Sequence, residues 1–455
     1  MKSGARERYA GWFVLLAACD SHPIDAVGYA GTDAPISTPD GGITVTVDRT
    51  TPLLTSALST GATHTQYSLD SFGNSAAVAN GKRLLQASTV YQNQHIMGWG
   101  TLNPEPSPGV FEWGSMDGRV QIMRDTAGVK VITLCAAPDW MKGGQAGSTD
   151  WSKIEVAPLP AHHGDFAELA RQTALRYPDV LYFQVWNDFK GMHLGAPANR
   201  WDYERYTNLY NAVYDALKGV NPNIQVGGPY ALIDWLATGT SDPSSVSGAS
   251  GVVDQRSLDV LTYWFANQRG ADFIAISGRL ANKDVDRVDD FTAAHKFADI
   301  VHWIRRQPGR AATLPVWWSE WFAEPFVDEG GAQRDNALMA WSLAEILRGG
   351  AAVALLWGPQ GRSDGGSIPL GLFTDTRNSG GGQPTLFQTT ATAFKNHFGP
   401  GTAIYPVASS SPLVKALASK AQVMLINSGA DEVVVHVGAM ATTLSGYAVR
   451  VLATP

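Results

Sequence analysis

Two acidic residues stand where apolar stretches of the chain come to an end. Asp188 follows Asn187 at the close of the run "VLYFQVWND", and Glu320 closes the run "LPVWWSE". In a barrel of parallel strands, the residues that follow the strands lie around the catalytic face. Two carboxylates across a pocket can cleave a glycosidic bond, because one protonates the leaving oxygen while the other attacks the anomeric carbon or activates water. Asp188 and Glu320 are therefore the predicted catalytic residues.

Each of these assignments has a structural alternative. An Asp after a strand is often a turn or helix-capping residue. A Glu between Trp residues can be a buried structural acid, although burial of a carboxylate without a partner is costly. Glu324 follows closely after Glu320 and is the nearest competing nucleophile. Asp139, which precedes Trp140, is predicted to be a loop residue that orients the indole ring.

Aromatic residues close several of the other apolar runs. An aromatic face can stack on the apolar C–H face of a sugar ring, and an amide can hold a sugar hydroxyl. The predicted substrate-binding residues are Asn187, Trp99, Trp140, Trp186, Tyr230, Trp318 and Trp357. Because Trp is usually mostly buried, each Trp of this set has an alternative place in the core.

The elements that position these residues alternate along the chain. Between residues 66 and 398, apolar strand-like runs alternate with helical stretches, and about eight such units can be counted. This alternation predicts a parallel sheet, and strands that are almost wholly apolar indicate a sheet covered on both faces. The predicted fold is α/β, a (β/α)8 TIM barrel over residues 66–398. Asp188 then ends the fourth strand and Glu320 ends the seventh.

A second, antiparallel pattern follows the predicted barrel. Residues 399–455 contain short alternating runs broken by the turn sequences "NSGAD" and "SG". We predict an accessory C-terminal antiparallel β-sandwich there. The short β run "ITVTV" lies within residues 43–65, and this segment is predicted to join the accessory domain.

Several segments together resemble clan A of the glycoside hydrolases, and within it family 39, the group of β-xylosidases and α-L-iduronidases. They are "LCAAPDWMKGG", "YPDVLYFQVWND", "NPNIQVGGPY", "VWWSEW" and "GLFTDT", whose order and spacing are more specific than any one of them. The resemblance implies a retaining glycosidase with an acid/base after strand four and a nucleophilic Glu at strand seven. Carried over, Asp188 is the acid/base and Glu320 the nucleophile. Asn187 would hold the sugar hydroxyl next to the reacting carbon.

Asp188 departs from the family pattern, which has Asn-Glu at this point. Asp is one methylene shorter, so its carboxyl is drawn back by roughly an ångström, and a misplacement of that size can cost about a hundredfold in rate. Three explanations for the shorter residue remain open. The substrate or the loops can lie closer to Asp188, so that Asp is a working acid, or the site can be inverting, because a wider separation of the two carboxyls leaves room for a water. In the third, Asp188 is a weakened acid in an otherwise ordinary site. Ser277 is a further departure, since the family pattern has His near the end of strand six; this leaves the substrate open, not the reaction.

The weakened-acid explanation leads to an alternative function. In it, the chain is a carbohydrate-binding surface protein that keeps a glycosidase barrel without efficient catalysis. The presence of Glu320 and Asn187 weighs against this alternative, because a pure binding module has no use for a placed nucleophile. A transglycosidase is a further alternative that the sequence does not distinguish from a hydrolase.

The first residues have the pattern of an export signal. Basic residues precede the short apolar run "WFVLLAA", and "LAAC" ends at Cys19. This pattern is typical of a bacterial lipoprotein signal, in which the Cys is lipidated after cleavage; a plain secretion signal and a misassigned start are the alternatives. Residues 1–19 are predicted to be the signal and residues 20–42 a flexible tether. The predicted location is the cell surface or the exterior.

Composition excludes several other classes of function. The net charge is -7 and no basic patch stands out, so a nucleic-acid partner is not expected. No G-x-G-x-x-G opens a helix, and no H-E-x-x-H or C-x-x-C occurs, so neither a cofactor nor a metal is expected. The two cysteines, Cys19 and Cys135, cannot form a disulfide framework, and Cys135 is predicted to be a buried thiol. The expected partner is a carbohydrate, with membrane contact only through a lipid on Cys19.

Overall fold

The computed structural model describes residues 42–70, 74–236, 242–282, 289–323, 331–361 and 371–453. Its strands, in chain order, are β1 (Ile43–Val47), β2 (Leu54–Thr55), β3 (Ser59–Thr63), β4 (Tyr91–His95), β5 (Val129–Leu134), β6 (Tyr182–Val185), β7 (His193–Leu194), β8 (Arg200–Trp201), β9 (Gln225–Leu232), β10 (Trp235–Leu236), β11 (Pro243–Gly248), β12 (Gly251–Asp254), β13 (Phe273–Arg279), β14 (Val316–Phe322), β15 (Val353–Trp357), β16 (Ala403–Tyr405), β17 (Val407–Ser409), β18 (Val414–Ser419), β19 (Gln422–Asn427), β20 (Val433–Val437), β21 (Met440–Leu444) and β22 (Val449–Ala453). Its α-helices are α1 (Ser75–Ser88), α2 (Gly114–Asp125), α3 (His163–Arg176), α4 (Tyr203–Val220), α5 (Gln255–Asn267), α6 (Asp290–Ala293), α7 (Lys296–Arg305), α8 (Gly331–Arg348) and α9 (Leu386–His397).

Eight parallel strands of the described residues close into a barrel. Strands β3, β4, β5, β6, β9, β13, β14 and β15 each pair with the next, and β15 returns to β3. Helices that follow the strands pack on one another around the outside, as α3 does on α4 and α7 on α8. The predicted eight-stranded parallel α/β barrel is therefore confirmed, and the strands predicted as fourth and seventh are β6 and β14.

The barrel differs from the sequence-based expectation at two places. Its first strand, β3, lies before residue 66, where the barrel was predicted to begin. This strand reads "STGAT", and its residues are all buried although they are small or polar, so no apolar run marks it. The sequence of residues 288–307 also predicts one continuous helix between the sixth and seventh strands, whereas α6 and α7 are separated by a turn at Ala294 and His295.

Aromatic side chains fill the end of the barrel at which the strands begin. Phe273 and Trp317 stack with ring centroids 3.9 Å apart, and Tyr91 and Tyr182 pack against Trp317 at 5.1 and 5.4 Å. Gly227 on β9 makes room for this plug, because a Cβ there would lie 2.0 Å from the Phe273 ring. The open end of the barrel is therefore the one at which the strands end.

A layer of hydrogen-bonded polar side chains lies inside the barrel beyond the plug. The Asn93 amide donates to the Thr63 hydroxyl at 3.1 Å, and the Thr133 hydroxyl donates to the Asn93 carbonyl oxygen at 2.9 Å. Gln184 donates to Thr133 at 3.1 Å, while Thr63 donates to the Ser319 backbone carbonyl at 3.3 Å. All five residues are buried. These hydrogen bonds link the five residues into one network below the open end, although Gln184 Oε1 and Ser319 Oγ have no hydrogen-bond partner among the described residues.

The described residues form four further sheets: a three-stranded one of β10, β12 and β11, a two-stranded one of β7 and β8, and two larger ones beside the barrel. One contains β17, β1, β20 and β21, and the other contains β2, β16, β18, β19 and β22. Side chains alternate along β19, since Val423 and Leu425 share a core with β1 and β20 while Met424 and Ile426 belong to the barrel core. The N-terminal strand β1 thus joins the C-terminal residues, pairing antiparallel with β17 and parallel with β20.

The N-terminal predictions fall outside the described residues. The predicted signal with Cys19, and the tether up to residue 41, are not among them. Within the described ranges, no helix combines the length and the apolar character needed to cross a membrane. Cys135 is described, and its thiol is free and buried as predicted.

Candidate active site

The two predicted catalytic carboxyls reach the open end of the barrel by different routes. Glu320 lies within β14, beside Ser277 of β13 in the strand register. Asp188 follows β6 in a tight turn, in which Trp186 and Asp188 have φ angles of 66° and 52°. This left-handed conformation is uncommon for residues other than Gly, so the surroundings must hold the turn. One such contact runs from the Asp188 backbone N–H to the Tyr230 carbonyl at 3.0 Å, which ties the turn to β9.

Both oxygens of the Asp188 carboxylate have partners. The Ser277 hydroxyl donates a short hydrogen bond to Oδ1, and the Lys190 ammonium donates to Oδ2 at 3.0 Å. Hydrogen bonds to a charged group are stronger than neutral ones. Contacts on two sides therefore fix the direction of this short acidic side chain, and Ser277, on the sixth strand, contacts the acid directly.

Glu320 is partly exposed at the open end but surrounded by protein on its other sides. Burial raises the pKa of Glu320 to about 8, and the nearby Asp188 carboxylate adds to this rise by like-charge repulsion. The Lys190 ammonium and the Asn187 amide act in the opposite direction. Asn187 is itself buried, and neither of its amide atoms has a partner of good hydrogen-bond geometry among the described residues. The two carboxyls therefore behave as one electrostatic pair.

Lys190 lies between this pair and a third acid. Its ammonium is 3.9 Å from the Glu155 carboxylate as well as 3.0 Å from Asp188. Burial disfavours the charged form of Lys190, but the carboxylates of Asp188, Glu320 and Glu155 outweigh that effect and raise the pKa of Lys190. The site therefore contains a permanent positive charge next to its acids.

Three aromatic rings form a wall beside the carboxyl pair. The Trp99 ring lies 4.5 Å from the His95 ring and 6.4 Å from the Trp357 ring, and His95 lies 5.8 Å from Trp357. Trp99 and Trp357 are partly exposed. His95 is buried, and burial lowers its pKa to about 3, so the imidazole is neutral. The structure thus brings two of the predicted sugar-stacking residues together.

Three other residues predicted to bind substrate lie in the core instead. Trp186 and Trp318 are fully buried, and their rings pack against Phe166 and Phe297 at 5.8 and 5.0 Å. Tyr230 is also fully buried, and its hydroxyl donates to a backbone carbonyl at 3.1 Å. These rings have no face open to a ligand, so the prediction that they stack on a sugar is not retained.

The remaining predicted residues lie in the loop after β5. Trp140 is partly exposed, and its indole N–H donates to the Glu105 carbonyl at 3.0 Å. Asp139 is buried and pairs with the Lys142 ammonium at 3.0 Å, whereas the Trp140 indole N–H is held by Glu105 and not by Asp139 as expected. Glu324, the competing nucleophile, lies outside the described residues.

Two residues at this end were missed by the sequence analysis. Lys190 follows Asp188 by two positions, and only the positive-φ turn brings its ammonium back to the carboxylate. His95 is the last residue of β4, and neither ring nitrogen has a hydrogen-bond partner among the described residues. The same rule that selected Asp188 and Glu320, a polar side chain at a strand end, would have found His95.

The fold is shared with solved glycosidases of clan A. The chain is similar to a family 39 glycoside hydrolase from Bacteroides cellulosilyticus WH2, with a TM-score of 0.59 and 14% identity, over 89% of this chain and 81% of that one. A monomeric β-xylosidase from Caulobacter crescentus CB15 has a TM-score of 0.54 and 14% identity, over 84% and 76% of the two chains. The catalytic domain of the GH30 xylanase C from Talaromyces cellulolyticus has a TM-score of 0.53 and 14% identity, over 90% and 97%.

Identities this low show a common fold and nothing about the reaction of this chain. No protein family model matches the sequence, and no curated protein sequence matches it either. The function has to be argued from the site itself.

Proposed function

We propose that this chain is a glycoside hydrolase that cleaves O-glycosidic bonds of an oligo- or polysaccharide by a retaining double displacement. The observation that carries the proposal is the electrostatically linked pair of Asp188 and Glu320 at the open end of the barrel, beside the partly exposed rings of Trp99 and Trp357. Catalytic residues of such barrels come from the ends of several strands, and here they come from the fourth and seventh.

The proposed reaction uses the two carboxyls in turn. The pair carries one proton, which passes from Glu320 to Asp188 before the glycosidic bond breaks. Asp188 gives this proton to the leaving oxygen while ionised Glu320 attacks the anomeric carbon, which forms a glycosyl ester. Asp188 then takes a proton from water, and the water attacks the ester to release the sugar. Asn187 would hold the adjacent hydroxyl, and Trp99, Trp140 and Trp357 would stack on the sugar rings. No step of this scheme requires a cofactor.

One observation favours the alternative, a carbohydrate-binding surface protein with weakened catalysis. Both carboxylate oxygens of Asp188 accept hydrogen bonds, one from Ser277 and one from Lys190. Asp188 must break one of these hydrogen bonds to give a proton to a leaving oxygen. The hydrolase is preferred because a binding protein gains nothing from placing Glu320 beside a second acid, where burial and repulsion oppose its ionisation.

The experiment that tests the proposal compares wild type with Glu320→Gln on a panel of oligo- and polysaccharides, including xylans and bacterial wall glycans. Product release by the wild type should fall by about a thousandfold or more in the variant, as for other lost nucleophiles. Glu345→Gln is the matched control, because it alters another buried carboxyl, on α8, away from the open end. No release by the wild type, with glycan binding still measurable, would support the binding protein instead.

The proposal extends to the domains and the location of the protein. We propose a signal in residues 1–19 with lipidation at Cys19, a tether over 20–42, and a β-sandwich formed by residues 399–455 with strands β1 and β2 of the segment 43–65, whose last strand, β3, belongs to the barrel. The packing of the two sheets around a shared core supports the sandwich. Expression in a bacterium with a labelled fatty acid should label the wild type and not Cys19→Ser; equal labelling of both would contradict the lipid anchor.

A further inference from the structure

We propose that Lys190 is a positioning residue of the carboxyl pair: its buried ammonium holds Asp188 in place and balances the negative charge that Asp188 and Glu320 share. The catalytic meaning of this inference rests on the proposed function, because it takes these two carboxyls as the reacting groups. The structural part, an ammonium that governs the ionisation of the pair, does not depend on any substrate.

The Lys190 side chain is anchored at both of its ends. At the backbone, its N–H donates to the Asn187 carbonyl at 3.1 Å and its carbonyl accepts from the Trp186 indole at 2.9 Å. At the tip, its ammonium donates to Asp188 at 3.0 Å and lies 3.9 Å from Glu155. Only 19% of the side chain is exposed. The ammonium therefore has a fixed place beside Asp188, not the freedom of a surface lysine.

The aromatic wall contacts the same ammonium. Its nitrogen lies 5.8 Å from the centroid of the Trp99 ring, within the range of a cation–π contact. Trp99 in turn contacts His95, which is neutral. Lys190 thus connects the carboxyl pair with the surface on which the sugar is proposed to stack.

Charge balance supplies the physical reason for a cation here. Two carboxylates in one site repel each other, and a nearby ammonium offsets that repulsion. The titratable groups that face the site are Asp188, Glu320, Glu155, His95, Cys135 and Tyr230. Lys190 is a cation that acts on both members of the pair. Because these acids raise the pKa of Lys190, it keeps its proton and acts through its charge, not as a proton donor.

The first test uses Lys190→Met and needs no substrate. The folded protein holds a proton on Glu320 up to a pKa of about 8, so its melting temperature should fall as pH rises toward that value. Without the ammonium, Glu320 should hold its proton longer, and the upper end of this fall should move by about one pH unit or more to higher pH. Lys190→Met combined with Glu320→Gln should show no such movement, which assigns the shift to Glu320.

Two variants serve as controls. Lys190→Arg keeps a cation and should restore a profile close to that of the wild type. Lys142→Met removes another buried ammonium from an ion pair of 3.0 Å, the same length as the Lys190–Asp188 pair, but away from Glu320. It should lower the melting temperature without moving the pH window. If Lys190→Met is too unstable to purify, Lys190→Gln is measured in its place.

The second test is the pH profile of kcat/KM on a substrate that the wild type cleaves. The alkaline limb, at which the pair loses its shared proton, should move upward by about one pH unit in Lys190→Met and should return in Lys190→Arg. A thermal window and an alkaline limb that both coincide with those of the wild type, or that move equally in Lys142→Met, would overturn the inference. If the thermal window moves but no substrate is cleaved, Lys190 governs the pair as inferred and the proposed hydrolase activity is what fails.

Discussion

At the scale of single residues, Glu320 is the group on which the proposed reaction depends. Burial and the Asp188 carboxylate raise its pKa to about 8, so it holds a proton at neutral pH in the free protein. An attacking carboxylate must be ionised. The pair then has one proton to share, and the proposed reaction needs that proton on Asp188 while Glu320 is ionised. The proposed hydrolase should therefore lose kcat/KM as pH rises through about 8, where the pair releases this proton, and should be more active near neutral pH than well above pH 8.

The raised pKa of Glu320 also has a consequence for stability. The unfolded chain releases this proton near 4.5 and the folded protein near 8, so folding loses stability as pH rises between these values. Glu320→Gln cannot ionise, and its melting temperature should exceed that of the wild type by several degrees at pH 8.5 while the two agree more closely at pH 5. Thermal unfolding followed by circular dichroism checks this, and a constant difference at both pH values would contradict it.

Asp188 is held by neighbours that suit its length. Asp188→Glu would extend the carboxyl by one methylene past Ser277 and Lys190, whose contacts with the shorter side chain are already close. We expect kcat/KM to fall by about tenfold to a hundredfold, with little change in the melting temperature. A large gain in rate would show that Asp188 is a weakened acid and that the site retains the geometry for Glu.

At the scale of elements, the two ends of the barrel differ: aromatic side chains fill the end at which the strands begin, and Asp188 and Glu320 lie at the open end. The aromatic plug around Phe273 and Trp317 fills the start of the strands, and the polar layer from Thr63 to Gln184 supports their ends. Side chains that are attached to well-packed strands of this kind, such as Asp188 and Glu320, keep a defined position.

Gly227 is the position at which the plug is most sensitive to a small change. A Cβ there would lie 2.0 Å from the Phe273 ring, so Gly227→Ala must displace that ring and should destabilise the fold by about 1–3 kcal/mol. Gly219, on α4, is the matched control, because a Cβ there meets nothing within 4 Å and Ala favours the helix. Chemical denaturation should show opposite signs for the two variants; equal effects would contradict the packing of the plug.

The sequence predicted the barrel because its strands and helices alternate over a long stretch, and it placed Asp188 and Glu320 because polar residues at strand ends are conspicuous. It missed β3, whose buried residues are small and polar. It placed Trp186 and Trp318 at the site, whereas both are buried in the core. The sequence does not show which side of the sheet a Trp faces, because the pleat and the packing of the helices decide this. Lys190 was missed because its contact with Asp188 depends on backbone angles of the turn.

At the scale of the whole molecule, the accessory sheets have a core of their own, and one face of β19 packs into the core of the barrel. Met424 and Ile426 of β19 pack with the barrel residues, and the Arg348 guanidinium at the end of α8 donates to the Ala416 carbonyl at 3.1 Å. The contact lies behind the barrel helices, away from the open end. The accessory unit therefore packs on the barrel through β19 and the end of α8.

Covalent trapping is the most direct test of the proposal that Glu320 is the nucleophile of a retaining glycosidase. The wild type is incubated with a panel of 2-deoxy-2-fluoro glycosides that carry activated leaving groups, and the intact mass is recorded before peptide mapping. If Glu320 is the nucleophile, we expect the mass to increase by one fluorosugar, which peptide mapping locates on Glu320 and which is absent in Glu320→Gln. A wild type that hydrolyses the parent glycoside but carries the adduct on another residue, or releases product of inverted configuration with no adduct, would contradict it.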